Sequence, residues 1–320
     1  MFVCVCILNL YLFRKVYENM QVLRSKRRLN QNTKWIAIFL APTVFLFLLI
    51  YLYPMIMLIT ISFTNFRVGF VYEFTGLENY IQLFTKDNVF LVALKNTGLW
   101  LLLQWFIHVP LGILLALLVR ANRPFMRFVR VTYMVPNQIS SAALAMLLFY
   151  IFKPGVSPFN ALIRIFVPGF DRNWFFDMRT AFFTVTISTI FYAGVICLLA
   201  YTEMTSISES IFDSAKIDGA TDWAINFRII LPMIKNIIAT GLILSTTGAL
   251  NSFEVIMLTT NGGPMNATMN LPLYLYRNAM TGGLFGYGNA IGIIILLIGL
   301  VLVGGINKVM SVGKSDLDII

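Results

Sequence analysis

Long apolar runs alternate with short polar segments along nearly the whole chain. Six of the runs, residues 35–63, 98–119, 131–152, 181–201, 236–259 and 287–306, reach or approach the roughly 20 residues a helix needs to cross a bilayer. Each predicts a membrane-crossing helix, because lipid offers no partner to an unpaired backbone amide and a helix pairs its own. The fold class read from this pattern is an all-α polytopic membrane protein with about six transmembrane helices. Pro42 and Pro54 interrupt the first run and Pro110 the second. Neighbouring helices or water are expected to satisfy the carbonyls these prolines free.

One polar interruption has an internal design. Between the fourth and fifth runs, residues 202–235 contain DSAKIDGATDWAINFRIILP over residues 213–232. Ser206 and Glu209 have the spacing of a capping box, which opens a helix by satisfying its orphan amides. Ile207, Ile211 and Ala215 then recur every four residues on one face. Asp218 and Gly219 close that helix, since glycine accepts the left-handed geometry of a helix end. Thr221 can cap a second helix bearing Trp223, Phe227 and Ile230, and Pro232 sits where a helix tolerates a missing amide proton. The expectation is a short helical hairpin with an apolar face that something outside the chain covers.

Composition fixes the class and the orientation. Hydrophobic residues make up 58% of the chain and charged residues 12%, against about 25% charged in soluble domains, and mean hydropathy is +0.80. Sixteen of the 24 lysines and arginines fall before the first run, after the second, after the fourth and after the sixth. The positive-inside rule therefore puts both termini and the 202–235 hairpin in the cytoplasm. The 153–179 segment runs against that bias, with Lys153, Arg164, Arg172 and Arg179 on the outer side. A net charge of +10 fits basic anchors at a membrane surface rather than a nucleic-acid face. Cys4, Cys6 and Cys197 have neither disulfide-framework nor zinc spacing. The expected organisation is a cytoplasmic segment 1–34, a membrane domain 35–306 and a cytoplasmic tail 307–320. Residues 1–13 are apolar but too short to span, which leaves three readings: a start at Met20 that excludes them, an interfacial anchor, or a short seventh span.

A carrier needs a source of energy. Ion-coupled carriers place ionisable groups near the bilayer midplane, whereas the predicted spans hold one carboxylate, Glu254, and one histidine, His108. No phosphate-binding loop is present: Gly313-Lys314-Ser315 has the end of that motif, but Lys308 stands where its first glycine belongs. Gly288 and Gly292 read as close helix packing and not as a dinucleotide fingerprint. No enzyme, cofactor or metal site is expected. A membrane subunit driven by a separate motor fits best. A self-contained secondary carrier or channel, and a membrane scaffold or sensor, are the alternatives.

The hairpin resembles the cytoplasmic loop of permease subunits of binding-protein-dependent ATP-binding-cassette importers. That family carries E-A-A, three residues, Gly, nine residues, then I-x-L-P. Here the pattern is Asp213-Ser214-Ala215, then Gly219, then Ile229-Ile230-Leu231-Pro232, with Asp for Glu and Ser for Ala. A second stretch, residues 259–279, is similar to T-x-x-G-G-P, A-T and Y-x-x-A of the carbohydrate branch, the maltose and glycerol-phosphate type. It is carried by Thr259 or Thr260, Gly262-Gly263-Pro264, Ala267-Thr268 and Tyr276. The resemblance covers about residues 30–310. It implies that Ile211, Asp213, Ser214, Ala215, Asp218, Gly219, Ile229, Leu231 and Pro232 couple to an ATPase. It also implies that Thr260, Gly262, Gly263, Pro264 and Thr268 belong to an outer gate. The partners it implies are a second related permease, two cytoplasmic ATP-binding-cassette subunits and an extracytoplasmic solute-binding protein, in a bacterial or archaeal cell membrane.

Glu254, with Asn251 and Ser252, makes a polar cluster at the outer end of the fifth run; it either touches solute or holds the gate. Sugars are held by hydrogen bonds and aromatic faces, so Tyr150, Tyr192, Trp100, Trp105 and Gln104 are candidates, each with helix packing as its alternative. His108 is expected to pack among helices.

Overall fold

The computed structural model describes residues 29–69, 73–120, 128 and 131–310. The expectations for residues 1–28 and for the tail beyond Met310 lie outside them. The described residues are helical apart from turns, loops and one isolated bridge between Thr64 and Phe74. Four helices are long and apolar enough to cross a membrane: Ile36–Ser62, Asn88–Arg120, Ala181–Ser206 and Phe285–Met310. Two further spans are broken. Val131–Gln138 meets Ser141–Phe152 at 113°, and Asp222–Met233 meets Lys235–Asn251 at 68°.

Three of the prolines coincide with a local change in helix geometry. Leu48–Leu52, Gln104–His108 and Ile225–Ile230 are π-helical turns, each ending two residues before a proline, Pro54, Pro110 and Pro232. Proline lacks an amide proton and its ring presses on the carbonyl four residues back. Widening the turn to a five-residue repeat moves that carbonyl aside within the helix itself. Pro42 has no such turn; it lies inside the regular helix Leu29–Phe47.

Three spans differ from the apolar pattern. The second begins at Asn88, ten residues before the expected start, because its polar residues Asn96 and Thr97 are buried against other backbone. The third breaks at Ile139 and Ser140, where extended backbone lets Ser140 cap the next helix by accepting from the Ala143 amide at 3.2 Å. The fifth ends at Asn251, and Ser252 and Phe253 separate it from a short helix Glu254–Thr259. Both breaks fall at short polar stretches, Asn137-Gln138 with Ser140-Ser141 and Asn251-Ser252 with Glu254, which the longer apolar runs around them mask in a window-averaged reading.

Two compact units divide the chain. One comprises residues 1–87 and 275–300. Within it Gly288 and Gly292 are packing positions, as expected: a Cβ on Gly288 would stand 2.6 Å from the Ala279 methyl, and one on Gly292 would meet Leu275 and Leu58. The other comprises residues 88–274 and 301–320 and holds the hairpin, the 259–274 loop and a cavity. In this unit the second and fourth spans cross closely. A Cβ on Gly112 would come within 2.7 Å of Ile196, so only glycine permits the approach.

The basic 153–179 segment is internally tied. Asn160 is fully buried; its Nδ2 donates to Asp171 Oδ1 and to the Arg172 carbonyl, both at 2.9 Å, while its Oδ1 accepts from Trp174 Nε1. Arg164 pairs with Asp171 and Arg172 with Asp177. The Gly155 amide above all, with Asn160 and Arg164, holds the Asp171 carboxyl below its usual value; the Arg179 amide, with Arg172, does the same for Asp177.

Candidate functional site

The hairpin is built as its sequence predicts, with two corrections. Its first helix is Glu209–Ile217, and Ser208 rather than Ser206 stands at the N-cap position. Ser206 closes the preceding span and donates to the Glu203 carbonyl, so the Ser206–Glu209 box does not form. The C-terminal end follows expectation. Gly219 has φ +81°, the Gly219 amide donates to the Lys216 carbonyl and the Ala220 amide to the Ala215 carbonyl, a complete Schellman closure. Thr221 caps the second helix by accepting from the Ala224 amide at 3.3 Å.

The second correction concerns the apolar face. The expected trios do not each share one environment. Phe212, Ile225, Ile230 and Ile234 are buried in a cluster with Leu115, Ala116, Cys197, Ala200 and Met204 of the second and fourth spans. Ile207, Ala215, Ile229 and Leu231 pack on its margin. The Arg120 guanidinium lies 4.0 Å from the Phe212 ring centre, a cation–π contact at the C-terminal end of the second span. The hairpin is thus rooted in the core of its own unit. Its other face is bare: Ile211 is exposed, Ile217 is 86% exposed, and Trp223 and Phe227 lie exposed with ring centres 3.9 Å apart. Asp213, Ser214, Asp218, Gly219 and Pro232 are exposed on the same hairpin.

The 259–274 loop is its opposite in finish. Asn261 and Gly262 both have positive φ, and a Cβ on Gly262 would stand 2.6 Å from the Met269 methyl, so the close approach made by this turn is to its own chain. The Thr260 and Thr268 hydroxyls are 2.7 Å apart, and Thr268, fully buried, donates to the Gly263 carbonyl. Pro264 is half-buried behind them. Asn96 of the second span donates to the carbonyls of Ala267 and Met269, and Thr97 accepts from the Leu271 amide. Asn270 Nδ2 donates to the Ser252 carbonyl at 2.7 Å, bridging the break in the fifth span. Sequence reading passed over Asn96, Thr97 and Asn270. Their one signal was polarity at the edge of apolar runs.

A cavity of about 390 Å³ opens in the same unit. Gln104, Tyr192, Asn251 and Glu254 line it, together with His108, Ser141, Thr189 and Ser245. Glu254 Oε2 accepts from the Ser141 hydroxyl, joining the two short helices that follow the breaks. Tyr150 lies outside the cavity, exposed beneath Lys153. Trp100 stacks on Phe182 and donates to Thr186, and Trp105 donates to Thr246, which makes both packing residues. Among the described residues no cluster of His, Cys, Asp and Glu could hold a metal ion.

Residues 108–310, which contain the hairpin, most of the cavity lining and the 259–274 loop, match the family described as binding-protein-dependent transport system inner membrane component. The chain belongs to that family. It is 29% identical over 293 residues to the probable ABC transporter permease protein YurN of Bacillus subtilis, covering 90% of this chain and 99% of that one. It is 30% identical over 293 residues to the sulfoquinovosyl glycerol transport system permease protein SmoG of Agrobacterium fabrum, covering 87% and 93%. In three dimensions it is similar to a chain of a bacterial ABC transporter involved in the import of the acidic polysaccharide alginate. That match has a TM-score of 0.77, 25% identity, and coverage of 90% of this chain and 100% of the other. A second structure of an alginate ABC transporter, in complex with an alginate pentasaccharide-bound periplasmic protein, matches with a TM-score of 0.78. Family membership accounts for an all-helical membrane protein with both a rooted hairpin and a cavity among its spans.

Proposed function

We propose that the chain is the membrane-spanning permease subunit of an ATP-driven importer and forms part of the path for a sugar or sugar-like solute. The observation that carries this reading is the hairpin: buried Phe212, Ile225 and Ile230 fix it to the spans, while Ile211, Ile217, Trp223 and Phe227 stay bare for a partner. A lever needs both properties. Force applied at the bare face reaches the second and fourth spans through packed side chains, and the Gly112 crossing leaves those spans little freedom to slip. The carbohydrate class is supported by relatives named for lactose and sulfoquinovosyl glycerol transport.

In this reading a second related permease pairs with the chain, two cytoplasmic ATP-binding-cassette subunits grip the hairpins, and an extracytoplasmic binding protein delivers solute. ATP binding closes the motors, and the spans rock from outward to inward access. The chain supplies no ATPase site of its own. Both termini and the hairpin are cytoplasmic, residues 35–306 form the membrane domain, and Asn251, Glu254, Tyr192 and Gln104 face the solute path. The outer loop with Thr260, Gly262, Gly263, Pro264 and Thr268 is the outer gate.

Gly219→Asp tests the coupling. No atom of the chain lies within 4 Å of the position an added Cβ would take, so the hairpin itself has room for it. The positive φ costs about 1 kcal/mol, too little to prevent insertion. The expected result is a variant that inserts and assembles normally but supports no uptake and no ATP hydrolysis stimulated by loaded binding protein. Uptake at the level of the unaltered chain removes the hairpin from the mechanism. The chain reconstituted alone, without nucleotide, is expected to accumulate no solute; uphill accumulation would favour a self-contained carrier.

A further inference from the structure

The 153–179 segment joins the helix Ser141–Phe152 to the span Ala181–Ser206 and is fastened to the ends of both. The Ser157 hydroxyl donates to the Ile151 carbonyl at 2.6 Å, and the Thr180 and Thr184 hydroxyls donate to the Trp174 carbonyl at 2.9 and 3.2 Å. Phe159 lies edge to face on Phe152 and on Trp174, with ring centres 5.1 and 5.2 Å away. A segment tied in this way stays at the level where the helices leave the bilayer. The helix Pro158–Arg164 is only about 10 Å long, so its far end remains within reach of the headgroup layer. At that end Leu162, Ile165, Phe166 and Val167 are 61%, 73%, 84% and 50% exposed. The Phe166 and Val167 amides both donate to the Ile163 carbonyl at 2.9 Å, which fixes the four as a knuckle. Four large apolar side chains turned outward together mark a surface that something covers.

The charges of the segment say what covers it. Its two acids are committed, Asp171 to Arg164 and Asp177 to Arg172. The remaining cations, Lys153 and Arg179, are exposed and form no ion pair among the described residues. They are also the two that stand at the helix ends, one residue after Phe152 and two before Ala181. The Lys153 ammonium lies 5.6 Å from the Tyr150 ring centre, drawn back over its own helix rather than out into water. Cations at the ends of membrane helices stand at the level of lipid phosphates, where a soluble partner has least access. We propose that the 153–179 segment docks on acidic phospholipid: Leu162, Ile165, Phe166 and Val167 enter the boundary between headgroups and acyl chains, and Lys153 and Arg179 hold the phosphates. Apolar tip and open cations are the complement of a lipid with apolar tails and a net negative head. This inference needs only the membrane and stands apart from the importer reading.

The test places a fluorescent reporter on the knuckle. Phe166→Trp is introduced into the full chain and reconstituted in phosphatidylcholine vesicles. Emission is read as the difference from the unaltered chain, which has five tryptophans of its own. Small amounts of phosphatidylcholine or phosphatidylglycerol, brominated on the acyl chains near the headgroup, then compete for the site. The introduced indole is expected to be quenched by both lipids, and by brominated phosphatidylglycerol at about a tenfold lower fraction. Lys153→Gln together with Arg179→Gln is expected to bring that preference to within about twofold while quenching persists. Arg179→Gln alone should give a smaller loss and serves should the double variant fail to reconstitute. Ile165→Asp, which puts a charge on the tip, should reduce quenching by either lipid. Four results overturn the proposal. The indole is reached by aqueous iodide and by neither brominated lipid, which leaves the knuckle in water. It is reached by iodide until loaded binding protein shields it, which makes the knuckle a protein-docking face. Both lipids quench equally. The preference survives loss of both cations.

Discussion

The 202–235 hairpin and the 259–274 loop are both polar interruptions carrying a recognisable motif, and they are finished in opposite ways. The loop turns its polar groups inward: Thr260, Thr268 and Asn270 are buried, and Asn96 and Thr97 reach across to satisfy its backbone. The hairpin buries one apolar side and exposes the other, with Ile217 and Trp223 among the barest large side chains of the unit. A segment whose groups are all satisfied internally gains from staying put. One that leaves stacked aromatics in water gains from being covered. The motif residues alone do not distinguish these cases, because Gly219 and Gly262 look alike in sequence and both adopt positive φ.

The comparison can be broken most sharply at the hairpin's root. Phe212→Ala removes a buried ring from the cluster with Met204 and Ile230, and should destabilise the unit by about 3–5 kcal/mol, read as lowered thermal stability in detergent. If the loss is small, the hairpin is not rooted and the lever fails. Asn96→Leu comes next. It strips two carbonyls of their donor and should cost about 2 kcal/mol, with faster amide exchange confined to residues 260–272. Exchange spreading instead to the hairpin would mean that the two regions are not independent.

A smaller effect is expected in the basic 153–179 segment. The carboxyls of Asp171 and Asp177 titrate below their usual value, so their contribution is complete above about pH 4 and is lost as pH falls through the depressed values. Amide exchange at residues 155–172 should stay constant from neutral pH to about pH 4, after correction for intrinsic rates, and rise below it. Asp171→Asn should abolish that rise. Trp223→Ala should change stability least, by no more than about 0.5 kcal/mol, since the side chain is 70% exposed. It should nonetheless lower ATP hydrolysis stimulated by loaded binding protein. A variant that unfolds readily would show the aromatic pair to be structural.

Much of the candidate site was legible in the sequence for local reasons. Gly219, Thr221 and the acids around them define caps, which depend on residues a few positions apart, and the structure forms both caps. The Ser206 box failed because a competing rule won: the fourth span continues through Ser206, whose hydroxyl turns back to Glu203. Tyr150 fell outside the cavity, while Ser141 at the start of the same helix lines it; which residues of a helix reach a cavity depends on how distant helices cross. His108 packs among helices as expected, 3% exposed, and borders the cavity as well.

By itself the sequence determined what depends on neighbours along the chain and on the solvent: membrane residence, helical class, the hairpin and its caps, and the family motif. Those follow from hydropathy, backbone sterics and local hydrogen bonding, all of which act over a few residues. Only the tertiary structure decided which polar groups are satisfied and which stay open. Asn96 meets a carbonyl 173 positions away, while Gln104, eight residues further on, meets a cavity. Whether a buried dipole finds its partner is fixed by how distant helices cross, and no local pattern encodes that crossing.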